Sequence, residues 1–287
     1  MASAQQEPIP SVAELEGLTT TTPPHRNIFQ RLRSMFGEEF AEFWGTFMIV
    51  FFGAAAECQA GLYRGAGDWL TRILGWAVGV SLGIYLAAPI SGGHVNPTVT
   101  ISMSVLRGFP ASKAARYVLA QILGAFLATL VVYLNYRGAI TAFEGSGART
   151  VIGPHSTAGR FFTIPHPKVG LFTAYVNEFV ATAALVALFL AFTDERNVAT
   201  SIPFAFFILI LGIGASYGIQ TGFAINPALT LLGYGKAVWT HDKGYWLWVP
   251  WLSVVPGGIV GGLLYDLWVY NGQASIFSHG SSRAIAL

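Results

Sequence analysis

Six stretches of the 287-residue chain are almost continuously apolar, at about 37–60, 71–90, 114–136, 169–193, 200–220 and 245–268. Each is long enough to cross roughly 30 Å of hydrocarbon at 1.5 Å per residue. Residues 117–136 and 245–265 hold no formal charge. Membrane-spanning strands would need about ten residues of strict alternation. None of the six shows it, so the pattern predicts helices. Two further apolar pieces, 96–106 and 226–234, reach only about half that thickness. Irregular backbone survives at membrane depth only where protein or a water-filled cavity satisfies it. These two pieces therefore predict re-entrant half-helices beside a permeation path.

The polar remainder is short. Residues 1–35 include the run Thr19-Thr20-Thr21-Thr22-Pro23-Pro24 and lack the apolar core of a signal peptide, so they are expected to form a disordered tail. Residues 137–167 read as a glycine-rich extramembrane loop and 271–287 as a polar C-terminal tail. The sixteen Lys and Arg divide evenly between the two faces, so the positive-inside rule gives no orientation.

Composition narrows the function. Charged residues are 10% of the chain and hydrophobic ones 53%, with a mean hydropathy of +0.55. A soluble domain carries about 25% charged residues, so soluble enzymes and disordered proteins are excluded. A net charge of +2 leaves no footprint for nucleic acid. A single cysteine, Cys58, excludes an intrachain disulfide and a Cys-based metal site. No cofactor and no metal is expected, and no Ser/His/Asp constellation at membrane depth suggests an enzyme.

The chain also repeats itself. Ser91-Gly92-Gly93-His94-Val95-Asn96-Pro97-Thr98-Val99-Thr100-Ile101 lies over Thr221-Gly222-Phe223-Ala224-Ile225-Asn226-Pro227-Ala228-Leu229-Thr230-Leu231, each copy after the second span of its half. Glu42-Phe43-Trp44-Gly45-Thr46 is echoed by Glu178-Phe179-Val180-Ala181-Thr182. Three spans separate the copies, so the second enters from the opposite face, an inverted repeat with its site near the midplane.

Helix-end physics gives the Asn-Pro pairs a role. Asn96 and Asn226 are favoured N-caps, and Pro97 and Pro227 lose no hydrogen bond at the first helical position. Each half-helix then points its positive dipole end inward, against cations. The two carboxamides can donate to a permeant oxygen. The preceding residues, Gly92, Gly93, His94 and Val95 in one copy and Gly222, Ala224 and Ile225 in the other, are expected to be extended and to offer a ladder of carbonyl acceptors. Glu42 and Glu178 are costly inside apolar spans. They could relay protons, but their equivalent places in the repeat favour acceptance of backbone N–H groups from the adjacent re-entrant segment. Glu57 and Asp266 are expected to reach interfacial water. His94 reads as a hydrogen-bonded loop residue rather than a pH sensor or metal ligand.

These residues resemble the major intrinsic proteins, the aquaporin and aquaglyceroporin family, over about 36–270. The resemblance implies an all-α membrane fold of six transmembrane helices and two re-entrant half-helices, with repeats at about 36–136 and 168–270. It implies Asn-Pro boxes meeting at the pore centre and homotetramers with one pore per subunit. It also places Trp76, Gly214, Phe223 and Leu229 at a selectivity filter of the wide, glycerol type. Two positions depart from the family pattern. Thr98 replaces Ala in the first box, and Leu229 stands where nearly all members carry Arg, which makes the filter more apolar.

The expected function is passive passage of small neutral solutes, glycerol or other polyols and also water, through a multi-pass protein of the plasma membrane with both tails cytoplasmic. An ion-coupled secondary transporter and a pore-closed scaffolding protein remain as alternatives.

Overall fold

The computed structural model describes residues 27–145, 149–150, 153–194, 196–197, 201–229 and 249–277. Among them the secondary structure is entirely helical. The long helices are α1 (Ile28–Leu62), α2 (Trp69–Ser91), α4 (Ala111–Glu144), α5 (Leu171–Phe192) and α6 (Ile202–Thr221), each long and apolar enough to cross a bilayer. The short helix α3 (Pro97–Arg107) follows α2, and α7 (Val254–Trp268) comes last.

Helix limits follow local chemistry. Asn27 and Gln30 exchange side-chain to backbone hydrogen bonds of 2.8 and 2.9 Å, a cap that starts α1 at Ile28. Residues 28–35 are thus helical, where the sequence suggested a disordered tail, and the φ of −128° at Phe36 breaks the helix just beyond them. The rest of the tail, 1–26, lies outside the described residues, as do 278–287. Asp68 and Thr71 form a capping box at the start of α2. Helix α4 runs on to Glu144, eight residues into the expected loop. The last span is shorter than expected. Its fifteen residues rise about 22 Å, after turns at 249–253, and 230–248 lie outside the described residues.

The two halves share one packing scheme. Helices in a bilayer gain little from hiding apolar surface from each other and associate through close backbone approach at small residues. A Cβ on Gly79 would meet the Ile49 carbonyl at 2.7 Å, and Gly83 and Gly124 lie against the Gly45 and Phe43 carbonyls in the same way, joining α1 to α2 and α4. In the second half Gly257 and Gly261 lie against the Phe179 and Ala183 carbonyls, joining α7 to α5. Phe43 and Phe179 directly follow the paired Glu42 and Glu178, so Gly124 and Gly257 make equivalent contacts. Across the halves α2 packs on α6, and α3 on α7. The outward faces stay apolar, as at Leu74, Leu123, Phe172, Val180, Ile208 and Leu264.

Gly261→Leu would force α7 away from the Ala183 backbone. A loss of about 1–3 kcal/mol is expected, read as a lower melting temperature in detergent, with Gly138→Leu, where a Cβ meets nothing, as the neutral control.

Candidate functional site

Helices α2 and α6 stop at equivalent left-handed glycines, Gly92 (φ 89°) and Gly222 (φ 82°), and each chain then turns back into the protein. Asn96 caps α3, its Oδ1 accepting the Thr98 N–H at 2.8 Å, and Pro97 opens that helix. Asn226 does the same for its segment, accepting the Ala228 N–H at 3.1 Å. The second half-helix is described only as a 3₁₀ turn, Pro227–Leu229, and the remainder of the expected 226–234 element lies outside the described residues.

The two tips meet. Asn96 Nδ2 donates to the Ile225 carbonyl at 2.9 Å, and Asn226 Nδ2 donates to the Val95 carbonyl at 3.1 Å. Each carboxamide spends one N–H on the opposite segment, which leaves one N–H per tip for a solute. Val95 and Ile225 each have one carbonyl lone pair already engaged, so two rungs of the expected acceptor ladder also hold the tips together.

The segments before the two Asn are not extended, contrary to the sequence reading. Val95 (φ 42°), Phe223 (φ 41°), Ile225 (φ 38°) and Gly93 (φ 68°) are left-handed. For β-branched residues this costs about 1–3 kcal/mol each. The left-handed turn aims the N–H groups at a buried carboxylate. Glu42 accepts from the His94 and Val95 N–H groups at 3.0 and 2.6 Å, from the Ser91 hydroxyl at 2.6 Å and from Gln121 Nε2 at 2.7 Å. Glu178 accepts from the Ala224 and Ile225 N–H groups at 2.8 and 2.9 Å and from the Thr221 hydroxyl at 2.6 Å. Both carboxylates are fully buried. His94 sits under the rings of Phe109, Tyr117 and Phe189, with Nδ1 at 3.3 Å from the Thr100 hydroxyl.

A cavity of about 240 Å³ runs past the tips. Gly93, His94, Val95, Asn96, Gly222, Ala224, Ile225 and Asn226 line it, together with Trp76, Phe223 and Leu229. Two candidates do not line it. Gly92 is spent as the helix cap, and Gly214 is packed against Ile73, one helical turn from the cavity wall. The α6 glycine on the wall is Gly218, against Trp69 and Phe223, whose rings meet edge to face at 6.2 Å. Spacing alone does not favour Gly218, because both glycines lie on one face of α6, four residues apart.

Glu57 lies on the cavity wall, largely buried, and faces Arg72 at 3.5 Å, Arg160 at 3.9 Å and Trp76 Nε1 at 3.5 Å. Burial and the neighbouring Arg72 pull Arg160 below the ordinary guanidinium value, while Glu57 acts the other way. Arg72 and Arg160 carry no site signal in the sequence, because an arginine near a span end or in a loop has no mark of its own. Asp266 is likewise buried, in a bidentate pair with Arg107 at 2.6 and 2.7 Å.

Glu178→Gln would set an amide N–H against a backbone N–H. A loss of about 1.5–3 kcal/mol is expected, seen as an earlier melt in detergent, and an unchanged melt would contradict the clamp.

Comparison with known proteins agrees with this geometry. Residues 30–265 match the model of the major intrinsic protein family. An aquaporin of Laccaria bicolor is 43% identical over 246 residues, covering 82% of this chain and 92% of that protein. A probable aquaglyceroporin-2 of Gibberella zeae is 40% identical over 282 residues, covering 94% and 83%. The X-ray structure of the aquaglyceroporin from Plasmodium falciparum superposes with a TM-score of 0.69 at 29% identity, covering 84% of this chain and 97% of that one. By sequence, by its paired Asn tips and by its fold, this chain belongs to the major intrinsic protein family.

Proposed function

We propose that the chain is a passive channel for small uncharged solutes, glycerol and similar polyols foremost, with water as a second permeant. The observation that carries this reading is the meeting of two neutral carboxamides on the wall of one cavity, each with an N–H to spare. Coupled transport needs an ionisable pair where these two amides stand. Glu42 and Glu178, the acids closest in sequence to such a role, are fully engaged as acceptors from the backbone and from hydroxyls.

Trp76, Phe223 and Leu229 give the cavity an apolar side that suits the carbon face of a polyol, and Gly218 leaves width beside Phe223. This is the filter of the reading, with Gly218 in the place suggested for Gly214. The aquaglyceroporin names of the Gibberella and Plasmodium proteins support the polyol class. Insertion in the plasma membrane with both tails cytoplasmic, and assembly as a homotetramer, complete the proposal. The outward apolar faces of α2, α4, α5 and α6 fit lipid or a second copy.

Stopped-flow light scattering on proteoliposomes tests it. Glycerol should equilibrate faster than in empty vesicles, and collapse of a proton gradient should leave its final distribution unchanged. Accumulation against a gradient would instead mean a coupled transporter. Phe223→Ala is expected to admit larger polyols, and Leu229→Arg to restrict them, each by about tenfold relative to water. No change in either variant would remove these side chains from the filter.

A further inference from the structure

One mouth of the cavity carries charge that the channel reading leaves unused. Glu57 near the end of α1, Arg72 in the first turn of α2, and Arg160 in the 3₁₀ turn Ala158–Arg160 all line it. Alternating helix directions place the end of α1, the starts of α2 and α5 and the ends of α4 and α6 on one face, which is the face these three residues share.

The grouping differs from a structural ion pair. Arg107 and Asp266 close a two-pronged pair at 2.6 and 2.7 Å. Glu57 stands 3.5 Å from Arg72 and 3.9 Å from Arg160, too far to saturate either guanidinium. Arg72 Nε and Arg160 Nε are buried, and so is the Thr163 hydroxyl on the same wall. None of the three has a hydrogen-bond partner among the described residues. Buried donors of this kind cost free energy unless a ligand or water satisfies them. Gly61 matters to the arrangement as well. A Cβ there would fall on the Arg160 guanidinium, while its carbonyl accepts from Arg160 Nη2 at 3.5 Å.

We propose that Arg160 and Arg72, held by Glu57, form a cationic hydroxyl-binding subsite that admits neutral polyols and turns back cations. The proposal rests on the channel reading above and names the side chains that give it selectivity. Two guanidiniums and one carboxylate leave a net positive charge on the wall, felt strongly where the surroundings are apolar. The guanidinium N–H groups and the Thr163 hydroxyl match polyol oxygens, and the edge-to-face rings of Trp69 and Phe223 take the carbon side. Leu229 supplies no donor, so at this mouth the donors come from α2 and from the connection before α5.

The test uses full-length protein in liposomes, with water and glycerol flux followed by light scattering and potassium leak by an ion-selective electrode. Arg160→Gln is expected to lower the glycerol-to-water permeability ratio about fivefold and raise the potassium-to-glycerol ratio about tenfold. Gly61→Ala keeps the charge but displaces the guanidinium, and should lower the first ratio by a similar factor. Arg149→Gln is the control, because Arg149 lies in the same connection but is tied to Tyr133, Thr141 and Glu144. Both ratios unchanged in an Arg160→Gln protein that elutes as folded would overturn the subsite. Should that variant not fold, an unchanged first ratio in Gly61→Ala overturns it equally. A parent protein that passes neither glycerol nor water refutes the channel reading itself, and the subsite falls with it.

Discussion

Everything at the centre of this molecule depends on a carboxylate holding a strained peptide in each half. Val95 and Ile225 occupy a backbone region that β-branched residues avoid, and each donates its N–H to a buried glutamate. Hydrogen bonds to a charged acceptor are worth about 1.5–3 kcal/mol apiece, enough to offset the strain. With those N–H groups turned outward, the carbonyls of Val95 and Ile225 turn toward the opposite Asn. The Asn tips can then cross, and they meet on the wall of the cavity. Without the clamp, the same residues would relax toward ordinary φ and take their carbonyls out of reach.

The repeat is close to symmetric but not equal. In the first half Gln121 donates to both Glu42 and the Thr100 hydroxyl, and Thr100 also meets His94, so the clamp belongs to a wider buried polar network. In the second half Glu178 has a shorter set of partners, while Asn177 takes up the Thr221 hydroxyl and the Tyr217 carbonyl. Networks of this kind specify one arrangement because any member left unpaired in an apolar surrounding is costly. The cavity is uneven for a related reason. Its middle is neutral amide and carbonyl, its inner part is ringed by Phe189, Phe206 and Ile210, and its charged groups gather at one mouth.

Much of this was legible in the chain. Long apolar blocks with few charges leave only helices as a way to satisfy backbone in hydrocarbon, and the expected bounds of α2, α5 and α6 lie close to the observed ends. Repeated Ser/Thr-Gly…Asn-Pro segments, each after the second span of its half, indicated two capped tips entering from opposite faces. Residue chemistry and parity suffice for that, because both act locally or by counting. Helix limits were less legible where a cap lies in polar sequence, as Asn27 does, or where a helix continues past the apolar block, as α4 does to Glu144.

Only the tertiary structure decided which side chains face the cavity and which charges stand together. Gly214 and Gly218 are interchangeable by period, and only the packing of Ile73, Trp69 and Phe223 separates them. Arg160 is far along the chain from Glu57 and Arg72, which flank the short connection between α1 and α2, and each looks like an ordinary solvated residue at a span end or in a loop. Their meeting depends on where three separate segments close over one mouth. The left-handed φ at Val95 and Ile225 was hidden for a similar reason: an intrinsic preference speaks against it, and only a distant carboxylate reverses the balance. Local chemistry thus determined the helices and their caps, whereas the wall of the cavity was set by contacts between residues that no spacing in the chain relates.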